Sequence, residues 1–228
     1  MTYIPYLSTL VTFAFTAAVF TRYWRKGGAH LLLWALGLLF YGLGTLSEVV
    51  LSVTFSLLAL KIWYLTGAML TAAWLGQGTL HLLVRKGKTA TVLTGILTAV
   101  SLLSLVLVLS APTLTSAFDV SRPVSEQYKD ILTRNGLTIF LTILLNIYGT
   151  LTLVGGAIYS AFLFWRKQIL ANRMFGNILI AAGALSPALG GTLLKAGYAD
   201  LLYLSEFIGA ILMFIGFIMA TAGKDASS

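Results

Sequence analysis

The sequence predicts an all-α membrane protein, a bundle of seven transmembrane helices with its N-terminus outside and its C-terminus in the cytoplasm. Three observations predict it. Hydrophobic residues make up 58% of the chain and charged residues only 10%, and mean hydropathy is +0.92. A soluble domain carries about a quarter charged residues, so lipid is the solvent for most of this one. Seven apolar runs each approach or exceed the roughly 20 residues that a helical crossing needs. Lysine and arginine gather mainly in every second gap between those runs.

The runs are, in order, Tyr3–Thr21, His30–Leu51, Leu58–Val84, Thr89–Ser110, Leu137–Phe164, Met174–Leu194 and Asp200–Thr221. They are too long and continuous for the alternating strands of a membrane barrel, so helices are expected. No basic residue precedes the first run and no small-residue cleavage site follows it, so it is expected to be a retained helix. The longest non-apolar stretch runs from about Ala111 to Gly136, which leaves one transmembrane domain over residues 1–228 as the expected organisation. Without cysteine, neither a disulfide nor a thiolate metal site can form.

The first, third and fifth gaps hold Arg22, Arg25, Lys26, Arg85, Lys86, Lys88, Arg166, Lys167 and Arg173, and the tail adds Lys224. The opposite side holds Lys61, Arg122, Lys129, Arg134 and Lys195, mostly among acidic neighbours. The positive-inside rule then sets the orientation. A multi-pass protein of the plasma (inner) membrane is expected, with basic gaps that attract anionic headgroups. The net charge of +8 is explained this way, and no nucleic-acid partner is expected.

Trp24-Arg25-Lys26 after the first run recurs as Trp165-Arg166-Lys167 after the fifth, and Gly67-Ala68 recurs as Gly209-Ala210 at nearly the same separation. Two such matches suggest a 3+1+3 duplication with the fourth helix as linker. Chance is the competing account, because both patterns are common in membrane helices.

Glu48 and Glu206 are the only acidic residues well inside the apolar runs. A carboxylate in hydrocarbon costs about 2.5–3.5 kcal/mol on insertion scales, so it normally faces the bundle interior with a partner. Lys61 and Lys195 sit at similar depth, near the outer end. The four groups read as an outward-facing ligand pocket or gate, or as two structural ion pairs with snorkelling lysines. Tyr41, Gly44, Thr45 and Glu48 share one helix face, and Trp63 and Tyr64 supply apolar walls. That face serves equally well for small-residue helix packing.

In the third run Trp63, Gly67, Leu70, Trp74, Gln77 and His81 fall on one predicted stripe. His81 reads as a proton relay or, more commonly, as a histidine bonded to a neighbour. His30 and His81 are the only histidines, and no acid lies at their depth, so no metal site and no cofactor are expected. No nucleophile, base and acid assemble, so an enzyme is not expected. Ser186-Pro187 interrupts the sixth run and marks a hinge or a static bend. Asn146 reads as a ligand contact or interhelical glue. A short helix after Pro123 reads as a lid or a plain connector.

No lysine stands in the middle of the seventh run, which excludes a retinal protein. Trp34, Tyr41 and Glu48, followed by Trp63, Tyr64 and Gly67, form a pattern that resembles the seven-helix membrane sensory input regions of bacterial histidine kinases. The resemblance covers roughly Leu31–Lys86. It implies a sensor-like module, and without an output domain before Ser228 the expectation is a stand-alone module acting through a cytoplasmic or membrane signalling partner, or a relative with another job. Three functions are therefore expected in order. The first is a receptor-like bundle for a small or lipidic ligand near its outer side. The second is a small-solute or proton-coupled transporter of 3+1+3 architecture. The third is a structural subunit of a membrane complex.

Overall fold

The computed structural model describes residues 3–84, 87–167, 171–195 and 199–221, without the side chains of residues 188, 191–195, 199 and 200. Its helices are α1 (Ile4–Lys26), α2 (Ala29–Leu51), α3 (Leu57–Leu83), α4 (Thr89–Ser110), the short α5 (Val124–Ile131), α6 (Gly136–Lys167), α7 (Ala171–Lys195) and α8 (Ala199–Thr221). Among the described residues six helices are long and apolar enough to cross a membrane: α1, α2, α3, α4, α6 and α8 from Leu201. The protein is therefore an all-α, multi-pass membrane protein. The helix α7 joins these six as a 25-residue helix with Pro187 inside it.

Helix ends follow local chemistry. The first helix continues past its apolar run to Lys26, because Tyr23, Trp24, Arg25 and Lys26 extend a helix while their polar ends reach the interface. It stops where Gly27 and Gly28 take φ of 65° and 103°, a region open mainly to glycine. Helix α6 likewise runs on to Lys167.

Helix α3 is not uniformly α-helical. Residues Trp63–Leu70 form a π-helical stretch. Its wider turn frees backbone carbonyls, and side chains take them up: Thr71 Oγ1 donates to Thr66 O at 2.8 Å, and Asn146 Nδ2 donates to Ala68 O at 2.7 Å. The π stretch also rotates everything that follows it. Gly67 meets Gly44 of α2, whereas Trp74 donates to Ser101 Oγ of α4. The single stripe predicted from 3.6-residue spacing is thus split between two neighbours.

Six helices pack in a ring, α1–α2–α3–α6–α7–α8, closed by α8 against α1; α4 lies outside it against α3 and α6. Glycines set the closest approaches. A Cβ on Gly149 would stand 2.3 Å from the Ala72 carbonyl carbon, which binds α6 to α3. A Cβ on Gly183 would stand 2.6 Å from Gly209 O, and one on Gly216 would stand 2.6 Å from Gly176 O. Helices α7 and α8 therefore touch backbone to backbone, as small residues allow in lipid.

The stretch between α4 and α6 folds over one end of the ring. Its base is tied by Leu114 N to Ile131 O at 2.8 Å and Thr133 N to Pro112 O at 2.9 Å. Gln127, with no exposed surface, holds Asp119 and Arg122 through both its oxygen and its nitrogen. Val124, Ile131 and Leu132 bury themselves in the core cluster that contains Leu60, Trp63 and Tyr64.

Candidate functional site

Two cavities lie within the ring, toward opposite ends. One buried apolar cluster, which includes Leu38, Leu75, Leu153, Ile180, Met213 and Phe217, lies between them. Leu75, Leu153 and Met213 face the first cavity, and Ile180 and Phe217 face the second.

The first cavity, of about 260 Å³, lies among α2, α3, α6, α7 and α8. Tyr41, Gly44, Thr45 and Glu48 all line it, so the face predicted for α2 is a cavity wall. Trp63, Asn146, Pro187 and Glu206 complete the polar and aromatic lining. Glu48 is 5% exposed. Its Oε1 accepts from Trp63 Nε1 at 2.8 Å, and its Oε2 is buried without a hydrogen-bond partner. Tyr41 donates its hydroxyl to the main-chain oxygen of Glu206 at 2.7 Å, which pins α2 to α8. Among the described residues no cation meets either carboxyl group.

Two expectations are corrected here. Lys61 does not join the carboxyls: its Nζ donates to Leu109 O at 2.6 Å and so satisfies a terminal carbonyl of α4. Tyr64 is buried but faces away from the cavity, where its hydroxyl bonds Thr142 Oγ1 at 3.0 Å. Ser186 Oγ donates to Ser205 O of α8 at 2.7 Å, a bond between helices. Pro187 does line the cavity, yet the glycine beside it, Gly183, serves the α7–α8 contact. Lys195 closes α7, and its side chain lies outside the described residues.

The capping segment supplies residues that sequence reasoning missed. The Tyr128 ring of α5 stands 5.3 Å from Trp63 and 5.8 Å from Tyr64, centroid to centroid. The Arg134 guanidinium lies over Tyr128 at 4.8 Å and Tyr64 at 5.7 Å. A cation over two neighbouring, tilted rings fixes the cap above Trp63. Burial pushes the Tyr128 phenol up from its ordinary range, with Arg134 acting in the opposite direction. Asp119, at the surface of the cap, is held below the usual aspartate range by hydrogen bonds from the Ser121 hydroxyl and N–H.

His81 and Gln77 belong to helix packing. Both bond Thr94 Oγ1 of α4 at 2.8 Å, and Tyr148 of α6 donates to Gln77 Oε1. Asn146 lines the cavity and bonds Ala68 O, so it ties α6 to α3.

The second cavity is larger, about 700 Å³, and was not anticipated. It opens among α1, α2, α3, α6, α7 and α8 at the end opposite Glu48. Arg22, Lys26, His30, Lys167 and Arg173 line its rim, and Trp34, Ile180 and Phe217 line its floor. On the sequence alone the basic gaps read as interfacial charge. Residues from six separate helices had to converge before a cavity could be recognised. No protein-family model, curated protein or solved structure matches the chain.

Proposed function

We propose that the protein is a seven-helix receptor-like module of the plasma (inner) membrane, N-terminus outside and C-terminus in the cytoplasm. The Glu48 cavity would receive a small ligand from the outer side, and a cytoplasmic or membrane partner would read the result. One observation carries the proposal: Glu48 Oε2 is buried and unpartnered, and Glu48 lines a cavity that Glu206 also lines. A buried carboxyl group without a donor is costly, so retaining it beside open space favours a ligand that supplies the donor or the charge. The ligand class is accordingly a small cation or amine. Trp63 holds the other carboxyl oxygen and offers an aromatic wall for such a cation. A binding role is preferred to catalysis because both histidines lie toward the other end. The resemblance of α2 and α3 to histidine-kinase sensory regions supports a sensing role.

The test is ligand binding to the purified protein in nanodiscs, using small primary and quaternary amines as probes. Saturable stabilisation against heat is expected, with loss in Glu48→Gln. Wild-type protein that ignores every amine would count against the proposal.

A second reading is transport. What favours it is the pair of cavities at opposite ends of one apolar layer, inside a ring with α4 outside, as a 3+1+3 duplication would arrange. Amine counterflow in proteoliposomes separates the two readings: a receptor binds without flux.

A further inference from the structure

The basic cavity has no role in the reading above. The geometry points to a binding site for a phosphate-bearing anion, seated at the rim with apolar space beneath it for a hydrocarbon tail. Charge is the first observation. Four lysines and arginines from α1, α6 and α7 line one cavity, and no aspartate or glutamate does. The acids of the sequence are Glu48, Asp119, Glu126, Asp130, Asp200, Glu206 and Asp225, and the first six lie toward the other end of the bundle or on its cap. Within the described cavity the cations are therefore not balanced by protein.

The second observation is how the two half-buried arginines are held. Arg22 reaches across the ring and donates to Thr221 O, the last carbonyl region of α8, at 3.2 Å. Arg173 lies with its guanidinium carbon 5.9 Å from the Phe164 ring, and its Nε is buried without a hydrogen-bond partner. An oriented guanidinium with a free donor is the group that recognises phosphate oxygens best. Asn177, one turn deeper, ties itself to Arg173 O at 2.7 Å and steadies that turn.

The third observation is the wall. Below the cations the lining turns to Leu31, Trp34, Ile180 and Phe217, so the cavity is amphiphilic in the same sense as a phospholipid. Tyr159 lines it while 53% exposed, which places part of the rim at the perimeter of the ring. The same phosphate chemistry could come from a lipid headgroup or from a soluble phosphate.

The full-length protein in detergent should be titrated by native mass spectrometry with phosphatidic acid, and separately with phosphatidylcholine. Inorganic phosphate against chloride at matched ionic strength, read by thermal unfolding, forms the second arm. Preferential retention of phosphatidic acid is expected, weakened about tenfold in Arg173→Gln and Arg22→Gln, and unchanged in Arg25→Gln, which lies outside the cavity. Lys26→Gln with Lys167→Gln removes charge from the exposed rim without touching the Thr221 contact. That pair keeps the test readable if an arginine variant fails to fold. Stabilisation by inorganic phosphate that the same variants lose would identify the soluble source. If neither probe binds better to wild type than to the cavity variants, or if Arg25→Gln weakens binding equally, the site does not exist.

Discussion

Trp63 donates its indole N–H to one oxygen of Glu48 and leaves the other oxygen buried without a partner, in a residue that lines a cavity. The bond crosses from α3 to α2 beside the Gly44–Gly67 contact, where a Cβ on Gly44 would stand 3.0 Å from Gly67 Cα. Trp63→Phe keeps the ring packing and removes the donor. It should cost about 1–3 kcal/mol, because it strands a second buried oxygen. In Glu48→Leu protein, which has no acceptor for the indole, the same substitution should cost less. Unfolding of the four proteins of that double-mutant cycle gives the coupling, and additivity within about 0.5 kcal/mol would deny the bond.

Helix α6 carries its own internal control. Gly149 has backbone of α3 where its Cβ would be, whereas Gly155 has nothing within 4 Å. Gly149→Ala should destabilise by about 1–3 kcal/mol through overpacking. Gly155→Ala should be neutral or stabilise by up to about 1 kcal/mol through helix propensity. Thermal unfolding in one detergent compares them, and equal effects would contradict the α3–α6 contact.

Asn146 supports the π-helical stretch through Ala68 O. Asn146→Leu should remove about 1 kcal/mol of stability. Hydrogen exchange should rise across residues 63–75 and not in α1. Unchanged protection there would show that the π-helical turn holds itself.

Asp119 is lowered because the charged form accepts two bonds from Ser121. Its contribution to the cap is therefore present above the ordinary aspartate range. It is lost as pH falls through the lowered value. Ser121→Ala should return the Asp119 titration toward the ordinary range, as followed by carbon NMR of the carboxyl group. An unmoved titration would assign the shift to another cause.

The membrane helices were legible because hydrocarbon imposes one rule on every backbone group, and long apolar runs announce it. The cavity face of α2 was legible for a similar reason: Tyr41, Gly44, Thr45 and Glu48 share a side at regular spacing. Spacing failed in α3, where the π stretch over Trp63–Leu70 turns Trp74 and Gln77 toward α4. No local residue pattern signals that turn, since the amide that supports it, Asn146, comes from α6. The direction of Lys61 was not legible, and its ammonium found the end of α4. The basic cavity was missed because Arg22 and Arg173 are distant in sequence and meet only when α8 closes the ring on α1.

The chain has no cysteine, so a single introduced thiol reports one place without background. Ala184 lines the Glu48 cavity from α7. Ala184→Cys should react with a trimethylammonium thiosulfonate about tenfold faster, or more, than with its sulfonate counterpart, because the two carboxyl groups and the Trp63 ring favour a cation over an anion there. Glu48→Gln with Glu206→Gln should abolish that preference. Equal rates, or a preference for the anionic reagent in the parent protein, would contradict a cation-binding cavity at this end of the bundle.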